Sequence, residues 1–196
     1  MQKAQKSICL TGFTMVITSF LIIAVGNYVF ALEYTNEKCG VSINYPEDWK
    51  VTESDYVFED KSKTLVDIQS GEDDILALDI SIENFGLAKK SLSDISEFEE
   101  DFVLSSPDAN ILESSITEIN GFPTHKIAYY EGMLDEYELQ EEKFHTVEYL
   151  IIAHDREYKI NYQAADKQEF DKYAPFVEEI ANSIKISKPN FEGINC

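Results

Sequence analysis

Strand-like segments fill most of the chain beyond residue 40, and this pattern constrains the fold more than any other feature. Apolar and polar residues alternate in several of them, which places successive side chains on opposite faces of a β-strand. The predicted strands cover residues 41–45, 57–59, 64–69, 75–83, 110–119, 122–131, 143–153 and 158–165. Turns are indicated at Asn120-Gly121 and at Asp155-Arg156. Consecutive strands joined by short turns predict a mainly antiparallel sheet.

Two segments instead repeat their apolar residues every three or four positions, which is the period of an α-helix. The first is predicted over residues 92–104, and Ser91 with Asp94 forms a capping-box pattern at its start. Its predicted core-facing residues are Leu92, Ile95, Phe98 and Phe102. The second follows Asp166, and its apolar stripe consists of Phe170, Tyr173, Phe176, Val177, Ile180 and Ile184. These patterns predict an α+β fold with a central, mainly antiparallel sheet flanked by helices.

The N-terminal segment predicts where the chain works. No charged residue occurs from Ser7 to Leu32, Lys3 and Lys6 precede this stretch, and Val29-Phe30-Ala31 resembles a signal-peptidase site. Residues 1–31 are therefore a cleaved signal peptide or an N-terminal membrane anchor, since a helix of this length also spans a bilayer core of about 30 Å. Both alternatives place the rest outside the cytoplasm, either secreted or anchored to the outer face of the cytoplasmic membrane.

The remaining residues divide into a short linker over 32–38, a domain over 39–187 and a C-terminal tail over 188–196. The chain has 37 acidic and 16 basic residues, and its net charge is −21. Such a charge repels nucleic acid and anionic lipid, so nucleic acid is excluded as a partner. Contact with a membrane is then expected only through an uncleaved N-terminal segment. Basic proteins and cations are the partners that this charge would attract.

Two cysteines, Cys39 and Cys196, lie beyond the N-terminal segment. In an oxidising compartment they are a candidate disulfide, and domain termini are often close together. The alternative is two free thiols near the ends of the domain.

Metal binding has little support in the sequence. The three histidines have no ligand spacing, and the acidic turn at residues 71–74 does not match a calcium-binding loop. The residues that remain as metal candidates are His125, His145, Asp73 and Asp74. No bound cofactor is expected; calcium is the ion that the carboxylates would favour.

No catalytic signature occurs in the chain: there is no Gly-x-Ser-x-Gly, glycine-rich phosphate loop, Cys-x-x-Cys or His-Glu-x-x-His. An enzyme is therefore not expected.

The tyrosines at 129, 130, 149, 158 and 162 are interpreted as core packing, with a pocket lining as the alternative. The acidic connector at 131–142 is a solvated loop or a docking site for a basic partner. Its acidic residues are Asp135, Glu136, Glu138 and Glu141.

Three stretches of the chain resemble PsbP-type domains. They are "GVSINYPEDWKV" at 40–51, "INGFPTHKIAYY" at 119–130 and the last strand and helix at 158–186. The resemblance covers residues 39–187 and implies an α-β-α sandwich, a fold shared with the Mog-type Ran-binding proteins. Plant and cyanobacterial PsbP proteins are extrinsic subunits that help photosystem II to retain calcium and chloride. This chain lacks a basic binding surface, so the resemblance carries the fold and not a photosystem role.

The function expected from these observations is that of an exported, non-catalytic PsbP-like domain. It would be an accessory module that docks to a protein of the envelope or of a membrane complex. The alternative is a carrier for calcium, a transition metal or a small ligand, with a pocket between sheet and helix. An enzyme of another type would need a concave site that holds a histidine and an oriented carboxylate.

Overall fold

A computed structural model describes residues 30–54, 63–70, 77–84, 91–133 and 142–188. In this part of the chain the strands are β1 (Phe30–Asn36), β2 (Val41–Pro46), β3 (Trp49–Glu53), β4 (Lys63–Ser70), β5 (Ala77–Asn84), β6 (Asn110–Ile119), β7 (Phe122–Met133), β8 (Glu142–Ala153), β9 (Arg156–Ala164) and β10 (Lys185–Ile186). The helices are α1 (Leu92–Ser105) and α2 (Lys167–Ser183).

Seven of the strands form one antiparallel sheet in the order β3-β4-β5-β9-β8-β7-β6. Strands β6 to β9 form a meander, in which each strand pairs with the next one in the sequence. Strand β5, in contrast, pairs with β9, which lies about 80 residues later in the chain. A second, small sheet has the order β1-β2-β10. The predicted α+β fold with a mainly antiparallel sheet is therefore confirmed.

The two helices cover opposite faces of the seven-stranded sheet. Helix α1 packs on β6 and β7, and α2 packs on β8, β9 and β2. Strand β9 shows the arrangement, because Lys159 reaches α1 while Tyr162, three positions later, stacks on Phe170 of α2. Residues at odd spacing on a strand point to opposite faces. The result is the α-β-α sandwich that the resemblance implied.

Local signals in the sequence place the helix starts and the main hairpin correctly. Ser91 caps α1, since its hydroxyl accepts a hydrogen bond from the Asp94 amide and its own amide donates to the Asp94 carboxylate. Asp166 caps α2 by accepting from the amides of Gln168 and Glu169. Asn120 and Gly121 have φ values of 51° and 84°, as a two-residue hairpin turn requires.

The main core lies on the α2 face of the sheet and continues onto the small sheet. Its strand residues include the aromatic rings of Tyr149, Tyr158 and Tyr162, and α2 contributes Val177 and Ile180. These side chains are fully or almost fully buried. The interpretation of the tyrosines as core packing is confirmed for these three rings.

Two boundaries were predicted wrongly. Residues 32–36, expected in a linker, belong to β1, which pairs with β2 and buries Tyr34. The short alternation of this strand is hard to separate from the apolar stretch that precedes it. The turn between β8 and β9 is formed by His154 and Asp155, both with positive φ, so Ala153 pairs with Arg156. The predicted turn at Asp155-Arg156 would instead have paired Ala153 with Tyr158, so the predicted register of β8 and β9 is wrong by two residues.

Several predictions lie outside the described residues. These are the N-terminal segment as far as residue 29, the strand at 57–59, the turn at 71–74 and the tail from 189. Neither of the two described helices is long and apolar enough to cross a membrane.

Candidate functional site

Helix α1 presents a different face to the sheet from the one expected. Its buried stripe runs through Ile95 and Val103, with Glu99 between them and also turned towards the sheet. Phe98 and Phe102, predicted to face the core, are 66% and 60% exposed. That prediction is wrong because residues 95, 99 and 103, spaced by four positions, form the packing stripe. Because Glu99 lies in the middle of this stripe, a search for regularly spaced apolar residues does not identify it as the buried face.

Glu99 enters the interface because it binds a lysine on the sheet. Lys159 Nζ lies 3.1 Å from Glu99 Oε1 and 3.6 Å from Glu148 Oε2. The Tyr129 hydroxyl donates a hydrogen bond of 3.1 Å to Glu148 Oε1. This ionic cluster, defined as Glu99, Tyr129, Glu148 and Lys159, lies between two small apolar clusters under α1. One contains Ile95, and the other contains Val103.

Burial and neighbouring opposite charges act in opposite directions on the pKa values of Glu148 and Lys159. Burial raises the pKa of Glu148, and the neighbouring Lys159 ammonium offsets this only in part. Burial alone would lower the pKa of Lys159, but the carboxylates of Glu148 and Glu99 outweigh it and raise that pKa. The charge on Lys159 is therefore maintained by its two carboxylate partners. Helix α1 is attached to the sheet by this charge as well as by apolar contact.

A second polar group joins α1 to β6 and β7. Ser114 Oγ lies 2.9 Å from His125 Nε2 and donates to Glu100 Oε1, and that carboxylate oxygen is 3.7 Å from the same ring nitrogen. In a serine–histidine–acid triad, the serine and the acid bind different nitrogens of the ring. Here both contact Nε2, and the buried Nδ1 has no hydrogen-bond partner. This arrangement lacks the oriented base that nucleophilic catalysis requires.

The outer sides of α1 and β6 carry acidic residues together with exposed apolar side chains, and these two outer sides are called here the α1–β6 face. Among the side chains that the structure describes, six large apolar ones are exposed, and five of these lie on α1 or β6. These five are Phe98, Phe102, Leu104, Leu112 and Ile116. The two phenylalanine rings stack with their centroids 6.5 Å apart.

The charge of this face has one sign. Neither α1 nor β6 contains a lysine or an arginine. Its exposed acidic residues are Asp94, Glu97, Asp101 and Glu118, whereas Glu113 pairs with Lys126 on the α2 side of the sheet. Apolar side chains in an acidic surround are typical of a surface that binds a protein partner of opposite charge.

The two metal candidates that the structure describes, His125 and His145, lie on opposite faces of the sheet. His125 lies on the α1 face of the sheet, whereas His145 lies on the α2 face with its ring 5.7 Å from that of Phe170. Asp73 and Asp74 lie outside the described residues, as do Asp135, Glu136, Glu138 and Glu141 of the connector. Within the described part of the chain, no three His, Cys, Asp or Glu residues come together where they could hold a metal ion.

The termini of the domain meet at the small sheet. Cys39 is buried there, while Cys196 lies outside the described residues, so their pairing stays a prediction. The Ser187 amide donates to the Gly40 carbonyl, and Gly40, with φ of 69°, has no room for a side chain.

An open cavity of about 450 Å³ lies beside Gly40 and Ser187 and is lined by β1, β2 and β10. It is therefore not the pocket between sheet and helix that a carrier was expected to have.

Comparison with known proteins identifies the fold. No family model and no curated protein matches the sequence. The solution structure of cyanobacterial PsbP (CyanoP) from Synechocystis sp. PCC 6803 is similar with a TM-score of 0.61 and 13% identity, over 80% of this chain and 92% of that one.

Two other solved structures share this architecture. LpqN, involved in cell envelope biogenesis of Mycobacterium tuberculosis, matches with a TM-score of 0.55 and 10% identity, over 75% of this chain and 83% of that one. The Saccharomyces cerevisiae Ran-binding protein Mog1p matches with a TM-score of 0.50 and 10% identity, over 79% of this chain and 94% of that one. The chain therefore has a PsbP/Mog-type fold. Sequence identities this low establish a shared fold but not a shared function.

Proposed function

We propose that this protein is an exported, non-catalytic binding module that docks to a protein of the envelope or of a membrane complex through the α1–β6 face. One observation carries the proposal: among the described residues, five of the six exposed large apolar side chains lie on this acidic face. Phe98 and Phe102 are the main apolar contacts. Aromatic side chains are enriched among the residues that dominate binding energy at protein interfaces.

The partner is a protein with a basic surface. Helix α1 and strand β6 carry seven carboxylates and no cation, and among the described residues only Glu99 and Glu113 of these are paired with lysines of the sheet. The remaining five attract positive charge and repel nucleic acid and anionic lipid. Apolar contacts then supply the affinity that charge alone, screened within about 10 Å at physiological salt, would not give. The arrangement of Ser114, His125 and Glu100 supports a binding role over a catalytic one.

Export is supported by the uncharged N-terminal stretch and its cleavage-site pattern. A relative in fold, LpqN, is described as involved in cell envelope biogenesis, which agrees with work in the envelope. The mass of the protein purified from its own envelope tests this part of the proposal. A chain that begins at Leu32 indicates cleavage, and a deficit of about two daltons under non-reducing conditions indicates the disulfide between Cys39 and Cys196. Full-length protein found in the cytoplasm with reduced cysteines would overturn the proposed export.

Cross-linking in intact cells tests the docking face. The photoreactive residue p-benzoylphenylalanine is placed at Phe98 in one variant and at Glu179, on the exposed side of α2, in a matched control. We expect a discrete adduct with another protein from position 98 and none from position 179. The adduct should be lost when Glu97→Lys and Asp101→Lys are added. Equal cross-linking from both positions would overturn the proposal.

Native mass spectrometry of protein purified without chelator tests the carrier alternative. Protein without stoichiometric metal, or bound to another chain, supports the docking module. A stoichiometric metal that is removed by chelator would replace the proposal with a carrier function.

A further inference from the structure

We propose that strand β6 binds the partner by strand addition, so that an extended, basic segment of the partner pairs with its free edge. This inference rests on the proposed function and specifies how the α1–β6 face is used. Strand β6 ends the order of the seven-stranded sheet, and no strand among the described residues pairs with its outer edge. Its ten residues offer an edge of about 33 Å.

The hairpin turn determines which backbone groups of β6 point outward. In a two-residue hairpin the residues next to the turn, Ile119 and Phe122, form a hydrogen-bonded pair. Such pairs alternate with non-bonded pairs along an antiparallel ladder. Ser114, Ile116 and Glu118 occupy the non-bonded positions, so their amide and carbonyl groups face away from β7. Pro123, opposite Glu118, fits this alternation because it has no amide hydrogen.

This edge lacks most of the features that usually prevent strand addition. Exposed edge strands are commonly short, or carry lysine or proline. Strand β6 has neither residue, and Ile116 at its centre is 61% exposed. Its one irregularity is the register shift between Ile111 and Glu113, at the end far from the hairpin. Along the remaining stretch, from Glu113 to Ile119, no described strand occupies the outer edge.

Charge selects a basic occupant and disfavours a second copy of this chain. A second copy would bring the same acidic strand and helix, with no lysine or arginine on either element, to this edge. Surfaces that carry charge of the same sign repel each other. The net charge of −21 on each copy adds to the repulsion. Lysine or arginine at alternate positions of a partner strand would meet the carboxylate of Glu118 with opposite charge on the α1 face of the sheet, whereas Glu113 is already paired with Lys126 on the α2 face.

The test uses three synthetic twelve-residue peptides with the full-length protein in detergent micelles. The first alternates lysine and valine, the second replaces lysine by glutamate, and the third keeps the charge of the first but has proline at every third position. Only the first combines positive charge with the ability to form a strand. Amide hydrogen exchange of β6 is then measured at single-residue resolution.

We expect the lysine–valine peptide to slow exchange at Ser114, Ile116 and Glu118 by about tenfold, and the other two peptides to leave it unchanged. Equal binding of the two lysine peptides without protection of β6 would show electrostatic docking only. That result would overturn strand addition but leave the proposed function standing. Binding of none of the peptides, or formation of a dimer of this chain that protects the same amides, would also overturn the inference.

A substitution at Ile116 separates the backbone from the side chain. Ile116→Pro removes an outward amide without breaking a hydrogen bond to β7, and Ile116→Val is the matched control that keeps the amide. We expect the first to weaken binding of the lysine–valine peptide by about tenfold and the second to leave it nearly unchanged. Circular dichroism checks folding, and Glu118→Pro, next to the hairpin turn, serves as the second proline variant. Equal binding by a folded proline variant and Ile116→Val would contradict strand addition.

Discussion

The two faces of the seven-stranded sheet are each covered by one helix, but the two interfaces differ in chemistry. Under α2 the sheet presents tyrosine and isoleucine side chains, and the helix adds Phe170, Val177 and Ile180 to one continuous core. Under α1 the apolar contacts form two small clusters, with Glu99, Glu148 and Lys159 between them.

This difference separates stability from binding within one sheet. Continuous apolar burial stabilises a fold in proportion to the area removed from water, and the α2 interface has most of it. A partly buried ion pair contributes little net stability, but it requires its partners to lie in one arrangement. The α1 interface therefore positions the helix while leaving Phe98 and Phe102 exposed to solvent and available to a partner.

The largest effect is expected from a matched pair of substitutions, one in each helix. Ile180→Ala should lower the free energy of unfolding by about 4 kcal/mol and Ile95→Ala by about 2 kcal/mol, because the cost grows with the cavity that is left. Both residues are buried, so the chemistry removed is the same. Urea unfolding followed by circular dichroism measures the difference. Equal losses would show that the two interfaces contribute alike.

The second largest effect on the free energy of unfolding is expected from the ionic cluster. Lys159→Met should lower the free energy of unfolding by about 2–3 kcal/mol, because Glu99 and Glu148 are then left close together without their cation. Adding Glu148→Gln should recover at least half of the loss, since the neutral amide can still accept the hydrogen bond from Tyr129. If the double variant is no more stable than Lys159→Met, the charge of Glu148 is not what makes the single substitution costly.

A smaller effect is expected from pH, because both faces of the sheet bury a histidine. Burial is the main cause that lowers the pKa of His125 and of His145 below 6.5. The unfolded chain therefore binds more protons in this range, and stability falls as pH decreases through and below 6.5. His125→Gln together with His145→Leu should flatten the pH dependence of the free energy of unfolding between about pH 5.5 and 7.

Glu148 is the main complication in this pH range. Burial raises its pKa, so its contribution to stability has the opposite sign and is lost as pH rises. The histidine substitutions are therefore compared in a Glu148→Gln background. His154→Gln is the control, since that residue is exposed in the turn between β8 and β9. An unchanged slope in the double histidine variant would contradict the prediction.

The smallest effect on stability is expected where the effect on binding is largest. Phe98→Ser combined with Phe102→Ser should change the free energy of unfolding by no more than about 0.5 kcal/mol, because both rings are exposed. The same change should abolish the cross-link from a photoreactive residue placed at Glu97. Substitution of the exposed Leu32 by serine is the control on the small sheet. A large loss of stability would show that the rings belong to the packing of α1.

The local elements could be predicted from the sequence because their signals are local. The cap at Ser91 and the turn at Asn120-Gly121 depend on neighbouring residues only. The face that α1 buries could not be predicted, because Glu99 enters the interface through Lys159, a residue 60 positions away in the chain. Choosing between two helical faces requires knowledge of what the sheet presents. The exposed pair Phe98 and Phe102 was missed for this reason.

The strand order was likewise beyond the sequence pattern. Alternation identifies strands, but it does not show that β5 pairs with β9 instead of with β6. The edge position of β6, on which the proposed strand addition depends, follows from that pairing. One feature could have suggested the edge position: six of the ten residues of β6 are polar.

The pairing of β5 with β9 also determines the order in which the domain can fold. Strands β6 to β9 pair as hairpins between neighbours in the sequence. Strand β5 pairs with β9, and this brings together Ile80 and Ile160, which are 80 residues apart in the chain. Contacts between distant residues form late, because loop closure costs entropy before the pairing repays it. If the chain crosses a membrane from its N-terminus, as proposed, strands β3 to β5 emerge before β9, and β5 stays unpaired with β9 until the C-terminal half arrives. Until then the N-terminal strands can associate with other chains. An export chaperone would therefore be needed most by the N-terminal half of the domain.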